Sequence, residues 1–153
     1  MLMNAIIYLM DNSKKYSFMS YRDIQRRQLQ IFLKDFCVKT NLPDFMVDKI
    51  HALHTKINEI LINQKRVFRA RRRIGFIGLC ILSECNNEKI EISINYLAEK
   101  LDVAGRDIRK TYYYLKKIIP DIKGFLNYPY DYDDIIKKYK ENLANRTSKK
   151  IEK

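Results

Sequence analysis

Between Lys65 and Arg73, six of nine residues are basic: Lys65, Arg66, Arg69, Arg71, Arg72 and Arg73. Side chains of this type at this density neutralise phosphates and displace the counterions condensed on a nucleic acid. A core role is implausible for so dense a run, because Lys and Arg are almost never fully buried without partners. The bland alternative is a solvated loop leading into a helix. Cations at a helix N-terminus oppose its dipole, at a cost of about 0.3–1 kcal/mol. That mild cost points to charges that serve a partner.

A second set is carried by the segment Leu97-Ala98-x-x-Leu101-x-Val103 followed by Ile108, Tyr112 and Leu115. This is the packing skeleton of a helix-turn-helix. Ala98 is small where the second helix crosses the first, and Val103 plugs the turn. Asp102 stands where Gly is commonest, since Asp tolerates the left-handed conformation. The solvent side of the second helix then presents Arg106, Arg109, Lys110, Tyr113, Lys116 and Lys117. These suit contact with DNA phosphates or base edges. An ordinary helix pair with a solvated basic face is the competing reading, and the overall charge of the chain tips the balance towards nucleic acid.

Other chemistry finds little support. His51 and His54 lie three apart on one helix, but neither a Cys-x-x-Cys nor a paired acid completes a ligand set, so no metal is expected. Partly exposed histidines are the expectation instead. Tyr112-Tyr113-Tyr114 offers stacking surfaces to bases, although such a run more often has one ring in the core and two at the surface. No phosphate-binding glycine loop, nucleophile elbow or metalloprotease motif is present, so neither catalysis nor a cofactor is expected.

The chain carries 30 Lys and Arg against 18 Asp and Glu over 153 residues, a formal net charge of +12. That excess suits a polyanionic partner. The length suits one domain with a core large enough to need no disulfide or metal. Three cysteines, Cys37, Cys80 and Cys85, make a poor disulfide framework and suggest a reducing compartment, with Cys37 and Cys80 as buried thiols. Met1 to Met10 is apolar but lacks the basic leader and cleavage site of a secretory signal. The longest apolar run, Ile74 to Leu82, is too short to span a bilayer. An intracellular protein with no membrane partner is expected, and the Lys65–Arg73 cluster also fits a nuclear-import signal.

The elements that position these residues are helical. Gly and Pro are scarce, at four and three residues, and the apolar spacing is that of helices, so the fold class is all-α. Residues 1–20 are ambiguous: a short helix over Met1–Met10, then a linker. The first helix is expected over Tyr21–Thr40, with Ile24, Leu29, Phe32, Leu33, Phe36 and Cys37 inward, and Asn41-Leu42-Pro43 ends it. Asp44 caps a second helix reaching Asn63. The basic loop 64–70 follows. A third helix over Arg71–Cys85 is apolar on every side from Ile74 to Leu82, so it is central and buried, and Gly75 and Gly78 let neighbours approach it. Ser93 caps a fourth helix to Leu101. A fifth spans Arg106–Ile119, where Pro120 stops it. Phe125 to Asp134 reads as an aromatic, acidic loop, 133–144 as a last helix and 145–153 as a frayed tail.

The order of parts from Tyr21 to Pro120 resembles one cyclin repeat of the transcription factor IIB family, which includes archaeal transcription factor B. The resemblance rests on Asn41-Leu42-Pro43 before the second helix and on Arg69-Ala70-Arg71-Arg72-Arg73 before a buried helix. It rests also on Gly78-Leu79-Cys80-Ile81-Leu82-Ser83-Glu84-Cys85 within that helix, and on Leu97 to Tyr112. The last of these is more similar to the end of the family's first repeat than of its second.

The resemblance implies a five-helix cyclin-like fold over residues 21–122, preceded by segment 1–20 and followed over 123–153 by the aromatic loop, last helix and basic tail. It implies a non-catalytic protein that binds promoter DNA, the TATA-binding protein and/or RNA polymerase in transcription initiation. Residues 65–73 and the fifth helix would be the contact surfaces. The sequence shows no zinc-ribbon cysteines, and the 33 residues after Pro120 are too few for a second repeat. A divergent viral homologue, or one whose second repeat comes from another transcription subunit, fits that pattern, and its compartment would be a nucleus or a viral transcription site. Two alternatives stand beside this reading. One is a cyclin-fold interaction module, for example a kinase partner, that does not touch DNA. The other is a generic helix-turn-helix DNA binder.

Overall fold

Four times among the described residues the chain leaves a helix through the left-handed region, and none of the four positions is a glycine: Asn41, Lys65, Lys89 and Asp102, each with φ of 57° or 58°. After each, the next N–H reaches back to the carbonyl five residues earlier. The bonds are Leu42 to Cys37 at 2.9 Å, Arg66 to Leu61 at 2.9 Å, Ile90 to Cys85 at 2.8 Å and Val103 to Ala98 at 3.0 Å. This is the Schellman arrangement, which satisfies carbonyls left open at a helix end. The reading of Asp102 as a left-handed turn residue is borne out. An apolar side chain normally follows the left-handed residue and folds back on the helix. Leu42, Ile90 and Val103 do this and pack against the core. The fourth such position is occupied by Arg66.

These turns divide an all-α chain. The structure, a computed structural model, describes residues 21–151, so the helix and linker expected over residues 1–20 lie outside it. Among the described residues there are six α-helices and no strand: α1 Tyr21–Lys39, α2 Phe45–Asn63, α3 Ala70–Asn87, α4 Ile94–Leu101, α5 Gly105–Ile118 and α6 Tyr132–Ile151, with a 3-10 turn at Ile122–Gly124. None of these helices is long and apolar enough to cross a membrane.

Helices α1 to α5 each bury a stripe of apolar residues at helical spacing. α1 contributes Phe32, Leu33, Phe36 and Cys37, and α2 contributes Met46, Val47, Ile50, Leu53, Ile57 and Leu61. In α3 every residue from Ile74 to Ser83 is buried. As expected of a helix without a polar face, α3 is central and packs against α2, α4 and α5. All three cysteines are buried and free. Burial raises the pKa of each thiol, to about 11 for Cys85, so none is a ready nucleophile.

The two α3 glycines have different neighbours. A Cβ on Gly75 would stand 2.7 Å from Thr111 Oγ1 and 2.9 Å from the Asp107 carbonyl oxygen, so α5 crosses α3 almost backbone to backbone there. A Cβ on Gly78 would meet only side-chain carbons, Leu101 Cδ1 at 3.0 Å and Ile108 Cδ1 at 3.1 Å.

Two expectations are corrected. Asp44 precedes α2, but its backbone is already helical (φ −58°, ψ −33°) and its side chain caps nothing. An N-cap needs extended backbone to aim its oxygen at the first N–H groups. Ser93 has that backbone, and its Oγ accepts from Tyr96 N at 3.0 Å. The last helix does not fray after residue 144 but continues to Ile151. Its start is set by Asp131, whose carboxylate accepts from the N–H groups of Asp133 (3.0 Å) and Asp134 (3.3 Å).

Candidate nucleic-acid interface

The loop between α2 and α3 begins at the left-handed Lys65 and ends at Arg69, which has extended backbone at the start of α3. It is held against α5 at both ends. Gln64 Nε2 donates to the Ile118 carbonyl at 3.2 Å. Phe68 is the one buried side chain of the loop and wedges between α3 and α5, edge-on to Phe76 (5.4 Å) and tilted against Tyr114 (5.8 Å). An apolar residue inside a basic run was the available sequence signal for this wedge.

With Phe68 inside, the basic residues around it are forced outward. Lys65, Arg66, Arg69, Arg71 and Arg72 are all exposed. Arg73 is half-buried and donates to the Phe68 carbonyl at 3.3 Å, so it closes the loop from within. Tyr114 joins the two predicted surfaces. The Arg72 guanidinium lies 4.4 Å from its ring centroid, and Arg66 donates from Nη1 to its hydroxyl at 2.9 Å. A guanidinium on a ring face gains about 0.5–1 kcal/mol at an exposed site and loses rotamer freedom before any ligand arrives.

The α5 residues divide. At 3.6 residues per turn, Arg106, Lys110 and Lys117 lie on the outermost line of the helix, with Arg109 beside them, and all four are exposed. Tyr114 sits at the edge nearer the basic loop. Tyr113 and Lys116, expected on the same outward face, are committed within the chain. Tyr113 is half-buried, packs edge-on against Tyr112 at 5.2 Å, and its hydroxyl accepts from the Tyr132 N–H at 3.0 Å. Lys116 pairs with Asp131 at 3.1 Å and Asp133 at 2.7 Å. The cause is the start of α6, which runs along this edge of α5. The tyrosine run resolves as one core ring, Tyr112, and two half-buried ones.

Asp131 is the centre of that seat and was not singled out from the sequence. It is fully buried and accepts from the Tyr112 hydroxyl and from Lys116. Burial by itself would raise its pKa. The bonds from Tyr112, Lys116 and the Asp134 N–H outweigh that and hold it at about 2. Its place at the first residue of an Asp-x-Asp-Asp run before a helix is an N-cap signal.

Electrostatically the joined surface is one-sided. The first turn of α3 carries no acid, and no side chain caps it. Arg71 and Arg72 therefore add their charge to the positive end of the helix dipole, and both favour an anion. On α5 the one acid of the first turn is Asp107, whose Oδ2 accepts from the Ala104 N–H at 3.3 Å.

Behind the loop lies a cleft of about 340 Å³ between α1, α2 and α3, floored by Leu29, Phe32, Phe76 and Ile77. His54 lines it, stacked on Phe76 at 4.3 Å, and burial together with His51 pushes its pKa down to about 3. His51 is half-buried, its Nε2 3.0 Å from the Arg26 carbonyl. Among the described residues no three His, Cys, Asp or Glu side chains converge in a way that would hold a metal ion.

Set against known proteins, the chain matches no family model, no curated protein and no solved structure.

Proposed function

We propose that this chain is a non-catalytic, transcription factor IIB-like protein with one cyclin-like repeat, which docks on duplex DNA through the surface centred on Tyr114. The observation that carries the reading is the pair of contacts made by Arg66 and Arg72 with Tyr114, which turns two basic segments remote in sequence into one continuous face. Arg66 adds to it. A charged side chain occupies the position where the other three helix ends carry an apolar one, which is a loss to the core and a gain for an anion-binding surface. The order of α1 to α5 with α3 at the centre is the order the cyclin-like resemblance requires.

The mechanism is electrostatic. Phosphate contacts are drawn from exposed Lys65, Arg66, Arg69, Arg71 and Arg72 on one side of Tyr114 and from Arg106, Arg109, Lys110 and Lys117 on the other, with about four to six engaged at once. A protein partner of the transcription machinery, the TATA-binding protein and/or RNA polymerase, supplies the rest of the affinity in a nucleus or viral transcription compartment. A salt-titrated electrophoretic shift on promoter duplex, with and without the TATA-binding protein, tests this. Four to six phosphate contacts give a log–log salt slope of about −4 to −5, and the partner adds a cooperative ternary complex. Binding indifferent to the partner leaves a generic DNA binder.

A second reading, a protein-interaction module that never touches DNA, draws on the loss of Tyr113 and Lys116 to the α6 seat. It is the conclusion if no shift occurs at low salt in either lane.

A further inference from the structure

After its first turn α6 leaves the rest of the fold. Its N-terminal end is pinned by Asp131, by the Tyr132 N–H on Tyr113, and by Lys116–Asp133 and Lys123–Asp134 at 2.7 and 2.9 Å. From Tyr132 to Arg146 every side chain is exposed except the half-buried Ile136. Yet the exposed set is not uniformly polar. Tyr132 is 64% exposed, Ile135 48% and Tyr139 65%, and Leu143 continues the line. These positions, with Ile136, recur at steps of three and four, which places them on one stripe. A helix of this length gains little from its own hydrogen bonds in water, and its stability comes from covering an apolar face.

The charges around the stripe indicate what covers it. At 3.6 residues per turn, Lys138 borders it beside Ile135 and Lys140 borders it beside Ile136. Arg146 closes its far end, and Glu141 falls on the opposite face. A second copy of this chain would bring the same cations against these, and like charges across a helix pair repel. Nucleic acid would use the lysines but not Ile135 or Leu143.

We propose that α6 is a docking helix for another protein, and that the partner is an amphipathic helix whose apolar stripe is flanked by Asp and Glu. Helix-in-groove and helix-on-helix recognition reads such i, i+3, i+7 anchors, and the acidic flanks set partner choice. The surface is separate from the one centred on Tyr114, and the inference does not depend on the nucleic-acid reading.

The probe is a synthetic fluorescein-labelled peptide of about three heptads with Leu at the seam and Glu at the flanking positions. Its controls are the same peptide with Lys at the flanks and a scrambled sequence of identical composition. Each is titrated into the full-length protein by fluorescence anisotropy. The Glu-flanked peptide is expected to bind, with the Lys-flanked and scrambled peptides weaker by about tenfold or more. The double variant Ile135→Ala/Tyr139→Ala is expected to lose about tenfold or more of that affinity. Ala keeps the helix, and circular dichroism of the variant checks this. Arg71→Ala/Arg72→Ala is expected to leave peptide binding unchanged. The proposal is overturned if the Glu-flanked peptide does not bind, if all three peptides bind equally, or if the double variant binds as wild type. It is overturned also if sedimentation shows a dimer that the double variant loses, which would make a second copy the occupant. A loss of duplex DNA affinity in the double variant would likewise assign the stripe to nucleic acid.

Discussion

The Arg72 guanidinium lies 4.4 Å over the ring of Tyr114, and this contact is one step of an antiparallel crossing between α3 and α5. Three residues further along α3, Gly75 meets Thr111, three residues back along α5. Three further still, Gly78 meets Ile108. The close approach at Gly75 sets the separation of the two helices, and that separation lets Arg72 reach Tyr114. A packing feature deep in the core thus fixes the geometry of a charged surface.

Gly75→Ala is therefore expected to be costly. Ala is a better helix former than Gly by about 1 kcal/mol, but the new Cβ meets the Asp107 carbonyl oxygen, which cannot rotate away. Overpacking of this kind costs about 1–3 kcal/mol, so the net effect is destabilising. Gly78→Ala meets only the ends of Leu101 and Ile108, which can shift, and it is expected to be close to neutral. Urea denaturation of the two variants, compared at equal m-value, decides the order.

On the proposed DNA surface, Arg71→Ala/Arg72→Ala is expected to weaken binding to every duplex and to flatten the salt slope by about two. Tyr114→Ala removes no charge. It is expected to weaken binding while leaving the slope nearly unchanged, because it frees Arg66 and Arg72 without deleting them. Lys116→Gln is the contrasting case. Its charge is spent on Asp131 and Asp133, so DNA affinity should hold while stability falls. Binding isotherms at four or more salt concentrations separate the three.

Acid stability should show two windows. His54 is held at about 3, below its ordinary 6.5, so its neutral form contributes fully above pH 6.5 and that contribution drains away as pH falls towards 3. Asp131 is held at about 2, below its ordinary 3.8. Its contribution, about 2 kcal/mol, is complete above pH 4 and is lost as pH falls through 2. Asp131→Asn is expected to flatten the lower window and leave the upper one intact. Asp131→Ala also leaves the buried Tyr112 hydroxyl without an acceptor, at a further cost of about 1–3 kcal/mol. Denaturant midpoints measured from pH 7 to pH 2 check both.

The two residues expected from sequence to cap helices should behave differently. Ser93→Ala removes a side-chain bond to Tyr96 N and is expected to cost about 1 kcal/mol. Asp44→Ala removes no capping bond and is expected to cost less than half as much as Ser93→Ala. Thermal unfolding of the pair tests whether the helical backbone at Asp44 has made its side chain irrelevant.

Much of the helical framework was legible because it is written in local spacing. The stripes on α1, α2 and α5 and the all-round apolar run of α3 follow from which residues recur at helical intervals, and so does the left-handed Asp102. Asp44 misled because Asp before a helix is a statistical cap, while capping itself is a matter of backbone angle. Lys65 and Lys89 gave no warning, since their left-handed φ is imposed by a helix-ending bond pattern rather than by their type.

Charge and periodicity by themselves determined that the chain is helical, basic and built around Ile74–Leu82, and that two clusters of cations lie outside its core. Only the tertiary structure decided which of those cations belong together. Outwardness on a helix depends on 3.6-residue periodicity, but whether an outward side chain is free depends on what packs beside it. Tyr113 and Lys116 are claimed by Asp131 and the start of α6, fifteen or more residues away. Arg66 and Arg72 are gathered at Tyr114 because a glycine in α3 lets α5 come close. Contacts between residues so far apart in the chain depend on how helices cross, and no local spacing records that.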